Sequence, residues 1–304
     1  MIIEASAPVR IDFAGAWTDV KFFAHPFGGA TTNAAVDSFV TGSTLVGAHS
    51  RRDGAQTPEG ISVTYETDIP AGSGLGTSSA LNVVWLSLAR GRAIENDTQR
   101  GQIAEQAYEV ETVLGILGGK QDQYAAAFGG FNLFEFEESG VQVTRIAMQP
   151  DKIAELESVI TLCYTGQARL SSNLHENVWG GFRAGKRQVV DSLFTLRDSA
   201  YKAKDILESG NFDSLGALLN TQHECAKNLD ASLSNDLVEG IFNLVQDHTI
   251  GAKCCGAGGG GCMILLSESL EKRNLVQAKL RAQNLRVIDF KFALQGLTVT
   301  MRED

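Results

Sequence analysis

The pattern of apolar and polar positions divides the chain into a strand-rich first half and a helix-rich second half. Residues Ile2–Ala7 alternate weakly and read as a first strand. Ala30–Val40, rich in β-branched residues, Thr41–Ala48 and Ile61–Thr67 read as further strands. Ser50–Gly60 is polar, with Asp-Gly and Thr-Pro pairs, and reads as a turn or hairpin loop. An apolar run from Ala80 through Leu81, Val83, Val84, Leu86 and Leu88 predicts a helix over Ser78–Arg92. A second helix is predicted over about Thr98–Leu114, capped by Asp97, because Ile103, Ala107, Val110 and Leu114 share one face. Gly115, Gly118 and Gly119 end it. A short helix is predicted over Gln121–Phe128, then paired strands over Phe131–Phe136 and Val141–Met148 and a strand over Ser158–Tyr164. From about Ser171 to Val245 the pattern is mostly helical, with helices near Gly181–Ser209, Asn211–Asn228 and Asn235–Val245. Strand Cys262–Leu266, helix Glu268–Gln283 and strands Leu285–Phe290 and Gly296–Thr300 close the chain. A boundary near Pro150–Glu157 gives two units, 1–155 and 156–304, of α+β class.

The elements are arranged around Pro70–Ala80, PAGSGLGTSSA. Gly72, Gly74 and Gly76 alternate, and Thr77, Ser78 and Ser79 open the helix. Glycines permit positive φ and close backbone approach. The first N–H groups of a helix lack intrahelical partners and carry the positive end of its dipole, so the stretch predicts an anion site for phosphate. A plain Ser/Thr cap after a flexible loop would not need three glycines and three hydroxyls together. The spacing differs from the Walker and dinucleotide-binding patterns, and no lysine follows the last glycine. A second positive charge must therefore come from elsewhere.

Composition narrows the chemistry. The 304 residues are 43% hydrophobic and 20% charged, as in globular proteins generally. A net charge of −10 argues against a nucleic-acid surface but leaves a small anionic ligand open. No stretch approaches the ~20 apolar residues of a membrane span. The N-terminus lacks the pattern of a signal peptide. The five cysteines form no C-x-x-C pair, which suits a reducing cytoplasm.

Four groupings could carry chemistry. Arg10, Asp12, Trp17 and Asp19 cluster after the first strand. Arg10 offers the missing charge, Asp19 could accept hydrogen bonds from sugar hydroxyls, and Trp17 could stack on a sugar ring. Asp122, just after Gly118-Gly119-Lys120-Gln121, is a candidate general base or else a turn residue. Glu111 is a candidate hard oxygen ligand for Mg²⁺, with Glu109 as competitor, unless both lie on a solvated helix face. Ser78 could place its hydroxyl on the same cation. Gly256, Gly258 and Gly261 fit G-x-G-x-x-G, but a strand follows where dinucleotide binding needs a helix. That run is either a loop closing on the phosphates or packing on the first loop, or a β-turn. The five histidines show no metal-ligand spacing.

Three of these segments, in this order, resemble the three motifs of the GHMP kinases: Arg10–Val20 (RIDFAGAWTDV), Pro70–Ala80 and Lys253–Cys262 (KCCGAGGGGC). Gly118–Gly130 (GGKQDQYAAAFGG) and Tyr164–Asn173 (YTGQARLSSN) are similar to the heptose-phosphate kinase and fucokinase branch, which phosphorylates the anomeric hydroxyl of a sugar. The resemblance implies a two-domain fold, with a ribosomal S5 domain 2-like N-terminal domain and a ferredoxin-like C-terminal domain. It implies ATP and Mg²⁺, a small sugar or sugar phosphate as partner, and leaves a homodimer open. Carried over by position, Asp122 matches the catalytic aspartate and Arg10 the arginine that steadies it. Ser78 and Glu111 match the Mg²⁺ ligands, and Pro70, Gly72, Ser73, Gly74, Leu75, Gly76, Thr77, Ser78 and Ser79 the nucleotide loop. Asp19, Trp17, Asp12, Gly119, Gln121, Arg169 and Gly258 are the expected substrate contacts. Ala16 and Trp17 stand where galactokinases carry a glutamate and a histidine, which favours the other branch. Arg169, Arg183 and Lys186 are the candidates for holding an acceptor that already carries a phosphate. The remaining reading is a nucleotide or sugar sensor on the same fold.

Overall fold

The structure, a computed structural model, describes residues 2–45, 51–52, 55–56, 62–70, 72–167 and 172–302. In chain order the elements are β1 (Ile2–Ala14), α1 (Lys21–Phe27), β2 (Gly29–Leu45), the two-residue strands β3 (Arg51–Arg52) and β4 (Ala55–Gln56), β5 (Ser62–Glu66), α2 (Thr77–Arg90), α3 (Asp97–Val113) and α4 (Gln121–Phe128). Then come β6 (Phe131–Glu137), β7 (Gly140–Arg145), α5 (Pro150–Val159), β8 (Ile160–Tyr164), α6 (Ser172–Arg183), α7 (Arg187–Ser209), α8 (Phe212–Leu229) and α9 (Asp236–Val245). The last are β9 (Gly251–Cys254), β10 (Cys262–Leu266), α10 (Leu270–Ala282), β11 (Arg286–Ile288) and β12 (Thr298–Arg302).

Two antiparallel sheets organise these elements. The first runs β12-β1-β2-β6-β7, with β5 on the far end of β2. The second runs β11-β8-β10-β9. β1 is twice as long as its alternation predicts. Burial alternates from Ile2 to Ser6 and is then continuous from Ala7 to Ala14, including Arg10 and Asp12. A strand covered on both faces carries no period-two signal, so the sequence marks only its half-exposed start. β2 likewise runs unbroken where two strands were expected; Val40 and Thr41 pair in register with Ala7 and Ser6, and the register shift opposite Pro8-Val9 falls between Val36 and Phe39.

Three differences from the pattern have local causes. The cap of α3 is Asn96, whose side chain accepts from the Gln99 amide, and Asp97 is the first helical residue. The stretch 150–157, read as a boundary, is a helix with Pro150 in its first turn that buries only Leu156 and Val159. The helix expected over Gly181–Ser209 breaks at Gly185 (φ +66°) into α6 and α7. Much of the Ser50–Gly60 loop and part of the expected Thr41–Ala48 strand lie outside the described residues.

The two halves interlock. β12, from the end of the chain, pairs with Ile2–Ser6 of β1. One apolar core runs from Ile3, Ile11 and Val84 through Ile160, Leu162 and Ala200 to Leu266 and Leu297. Burial of this kind contributes roughly 25 cal/mol per Å² of apolar surface, so the halves stabilise each other. α4 lies at the centre, with every residue but Asp122 buried. That exception points to the site.

Candidate active site

The glycine loop folds as its composition requires. Gly72, Gly74 and Gly76 have φ of +72°, +76° and +78°, and Gly76 caps α2 in the left-handed region. Thr77, Ser78 and Ser79 form the first turn of α2, whose unpaired N–H groups and positive dipole end face a cavity of about 460 Å³. Gly72, Ser73, Gly74, Gly76, Thr77, Ser78 and Ser79 line it, together with Thr67, Ile69 and Leu81, which the motif did not supply. Leu75 does not: it is buried in the core, and its carbonyl accepts from the Arg10 amide at 3.0 Å. Pro70 is also outside the lining and accepts from the Ser73 amide at 3.2 Å. The third glycine run packs on this loop. The Cys262 amide donates to the Ser73 carbonyl at 2.6 Å, and a Cβ on Gly261 would lie 2.4 Å from that oxygen.

Asp122 stands at the border of two cavities. It lines the loop cavity and also a second one of about 360 Å³, on the side of Trp17 and Asp19; Ser78 and Ser79 are shared too. Arg10 fixes it. The buried guanidinium donates to Asp122 Oδ1 from Nε at 2.9 Å and from Nη2 at 2.5 Å, and to the Gly74 carbonyl from Nη1 at 2.5 Å. Burial alone would lower the Arg10 pKa, but the charge of Asp122 and then of Asp12 outweighs it and holds the guanidinium above its ordinary value. Arg10 therefore stays charged between the loop and the carboxylate, as the lysine-free loop demands.

The second cavity is built around Asp19. Its carboxylate is 5% exposed and accepts from the Gln121 amide at 3.0 Å. Burial pushes its pKa up to about 7; the Gln121 amide opposes the shift and the Asp122 charge adds to it. Gly119 is needed here, since a Cβ on it would lie 1.8 Å from Asp19 Oδ2. Gln121 is itself buried in the lining, and its side-chain oxygen has no hydrogen-bond partner among the described residues. Trp17 holds a positive φ of +79°, donates from Nε1 to the Ala257 carbonyl at 3.2 Å, and packs on His175 with centroids 4.8 Å apart. His175, Ile116 and Leu117, which no sequence signal marked, and Ala257 of the third glycine run also line the cavity.

Glu111 lies in the same lining, 7% exposed. Oε1 accepts from Ser79 Oγ at 2.8 Å and Asn82 Nδ2 at 3.0 Å, and Oε2 from Gln123 Nε2 at 2.8 Å. Burial raises its pKa, with the Ser79 hydroxyl opposing and the Asp122 charge adding. Among the described residues no three His, Cys, Asp or Glu side chains group to hold a metal alone. A hard carboxylate held only by neutral donors, beside the Ser78 hydroxyl at a phosphate-binding helix start, nonetheless fits Mg²⁺ completed by phosphate oxygens.

Two expected substrate contacts lie elsewhere. Asp12 is fully buried and outside both linings. Lys253 Nζ donates to Asp12 Oδ2 at 2.5 Å and to its carbonyl at 2.8 Å, and the Gly256 amide donates to Oδ1 at 2.7 Å. Its lone pairs are spent tying β1 to the third glycine run, and Lys253 is the partner the sequence did not reveal. Gly258 is turned towards the Leu233 carbonyl and borders a separate narrow hollow; Gly256 and Ala257 reach the cavity instead. Arg169 lies outside the described residues. Arg183 and Lys186 are exposed and line neither cavity; the Arg183 guanidinium sits 5.7 Å over the Phe22 ring.

The model of the GHMP kinases N-terminal domain matches residues 43–130 and that of the GHMP kinases C-terminal region matches 203–285, together more than half of the chain. The chain belongs to the GHMP kinase family, whose members are ATP-dependent phosphotransferases. Within it, the chain stands with the heptose-phosphate kinase and fucokinase branch. It is 29% identical over 97% of its length to a D-glycero-alpha-D-manno-heptose 7-phosphate kinase of Campylobacter jejuni, covering 98% of that protein. It is 30% identical over 69% of its length to an L-fucokinase/L-fucose-1-P guanylyltransferase of Bacteroides fragilis, of which it spans 22%. Its fold is similar to the crystal structure of a D-glycero-D-manno-heptose 1-phosphate kinase from Bacteroides thetaiotaomicron, with a TM-score of 0.76 and 23% identity over 99% of this chain and 100% of that one.

Proposed function

We propose that the chain transfers the γ-phosphoryl group of ATP to the anomeric hydroxyl of a heptose 7-phosphate or a closely related sugar. One observation carries this reading: Asp122, fixed by Arg10, borders both the glycine-loop cavity and the Asp19 cavity. A carboxylate between a phosphate site and a polyol site is where a general base for phosphoryl transfer belongs. The described Arg10 bonds land on Asp122 Oδ1, which leaves Oδ2 for the acceptor proton. The amides of Gly72–Ser79 hold the nucleotide phosphates, and Arg10 keeps the Asp122 carboxylate oriented. Asp19 accepts from sugar hydroxyls, with Gly119 and the Gln121 amide fixing its angle, and Trp17 covers the ring. Ser78 and Glu111 would hold Mg²⁺, which supplies charge neutralisation for the phosphoryl oxygens when bound.

The acceptor cavity is lined by Asp19, Glu111 and Asp122 and, among the described residues, by Arg10 as its single Arg or Lys. The reacting end of the acceptor is therefore a neutral polyol, and any phosphate it already carries points away from these carboxylates. Five buried cysteines with no disulfide between them suit a reducing, cytoplasmic setting.

ADP release is measured with ATP, with and without EDTA, against heptose 7-phosphate, fucose, mannose and N-acetylhexosamines. Asp122→Asn is expected to lower sugar-dependent turnover by ~10²–10⁴-fold. Absence of sugar-dependent ADP release, or equal rates in the variant, refutes the reading. Nucleotide or sugar binding without turnover supports a sensor. A preference for free fucose assigns the fucokinase side of the branch.

A further inference from the structure

The turn Gly15–Val20 carries Trp17, Asp19 and Val20 into the acceptor cavity. It holds a tryptophan at φ +79°, a strained conformation that persists only where surrounding contacts over-determine it. Its anchors can be followed. Thr18 Oγ1 accepts from the Ala30 amide at 3.1 Å and lies 2.8 and 2.9 Å from the Gly15 and Ala30 carbonyls, which share its one proton. Trp17 is held by the Ala257 carbonyl. The remaining anchor comes from the other half of the chain: Gln222 Oε1, on α8, accepts from the Gly15 amide at 3.0 Å. Gln222 is 2% exposed, and its Nε2 has no hydrogen-bond partner among the described residues.

Gln222 borders a narrow hollow of about 20 Å³ behind Trp17, walled also by Lys253, Gly256 and Gly258. We propose that Gln222 is a positioning residue for the acceptor. Through Oε1 it holds the Gly15 amide. It thereby sets where Trp17 and Asp19 stand in the cavity. α8 of the C-terminal half acts on acceptor binding without touching the acceptor or the nucleotide loop. The role rests on the reading of the Asp19 cavity as the acceptor site.

Gln222→Met keeps the volume and removes both polar atoms, whereas Gln222→Glu keeps an oxygen for Gly15. In the methionine variant the acceptor KM is expected to rise about tenfold, with the ATP KM unchanged within twofold and kcat lowered less than the acceptor affinity. The glutamate variant should recover most of the acceptor KM. Amide hydrogen exchange at Gly15–Thr18 in the folded, ligand-free protein should quicken at least tenfold in the methionine variant and stay near wild type in the glutamate variant. Unchanged exchange at the turn overturns the proposal whether or not the protein is a sugar kinase. So does a methionine variant in which both KM values rise together. If the methionine variant does not fold, the glutamate variant decides: quickened exchange at Gly15 there also overturns it. Quickened exchange in the methionine variant with an unaltered acceptor KM keeps the anchor but overturns the positioning role.

Discussion

Replacing Asp19 with asparagine tests the electrostatics of the acceptor cavity without needing a substrate. The folded protein holds this carboxyl at about 7 against an ordinary value of 3.8, chiefly because it is buried. Between those values the native state keeps a proton that the unfolded chain has released. The contribution to stability is therefore complete below the ordinary value and is lost as pH rises through about 7. At about 1.4 kcal/mol per pKa unit, the loss amounts to roughly 4 kcal/mol in all, of which roughly 2.5 kcal/mol falls between pH 5 and pH 8. An asparagine in this place has no such titration and still offers an oxygen to the Gln121 amide. Denaturant unfolding of wild type and Asp19→Asn at pH 5, 6, 7 and 8, at fixed ionic strength, should give curves that diverge, with the variant gaining on wild type as pH rises. Parallel curves, or a variant that gains as pH falls, would show that the Asp19 carboxylate is not held out of water as described. The same variant should bind the acceptor more weakly, because the asparagine amide replaces one of the two acceptor oxygens.

Gly119→Ala should displace the Asp19 carboxylate, because the new methyl would lie 1.8 Å from Oδ2. Loss of the Gln121 contact to a charged group, worth ~1.5–3 kcal/mol, predicts a rise in acceptor KM of roughly 10- to 150-fold with little change in the ATP KM; steady-state kinetics with each substrate varied in turn checks it. Lys253→Met strands the Asp12 carboxylate in a fully buried position, and breaking such a pair costs about 3–5 kcal/mol, read as a lowered denaturation midpoint. Lys253→Met together with Asp12→Asn should recover part of that loss, and a double variant no more stable than the single one would contradict the pairing.

How the site was legible follows from where its signals lie. The amino-acid sequence determined the local pieces. Three alternating glycines before three hydroxyls fix a left-handed loop at a helix start, and the structure has it at Gly72–Ser79. The spacing of Ile103, Ala107 and Val110 marks α3, although Leu114 is its exposed C-cap and Glu111 takes the buried place, and one turn of chain after Gly118-Gly119 places Asp122 at the start of α4. Elements with one wet face were readable because burial there alternates. The buried half of β1 was not, because residues covered on both faces, Arg10 and Asp12 among them, leave no period.

Tertiary structure alone decided the partnerships. Asp12 looks in the sequence like a companion of Asp19, yet the two point to different ends: one is consumed by Lys253 and Gly256, from more than 240 residues away, and the other opens on the cavity. Gly256, Gly258 and Gly261 form one run, but only the fold assigns the first to the cavity, the second to Leu233 and the third to Ser73. His175 and Gln222 carry no motif, because a buried polar group is recognised by what it meets and not by its neighbours in the chain. The sequence therefore specified a phosphate loop in want of charge and a carboxylate in want of a partner. Packing of β1 between that loop and α4 is what brings Arg10 to both, since a side chain's pKa and reach depend on distances that only the folded chain sets.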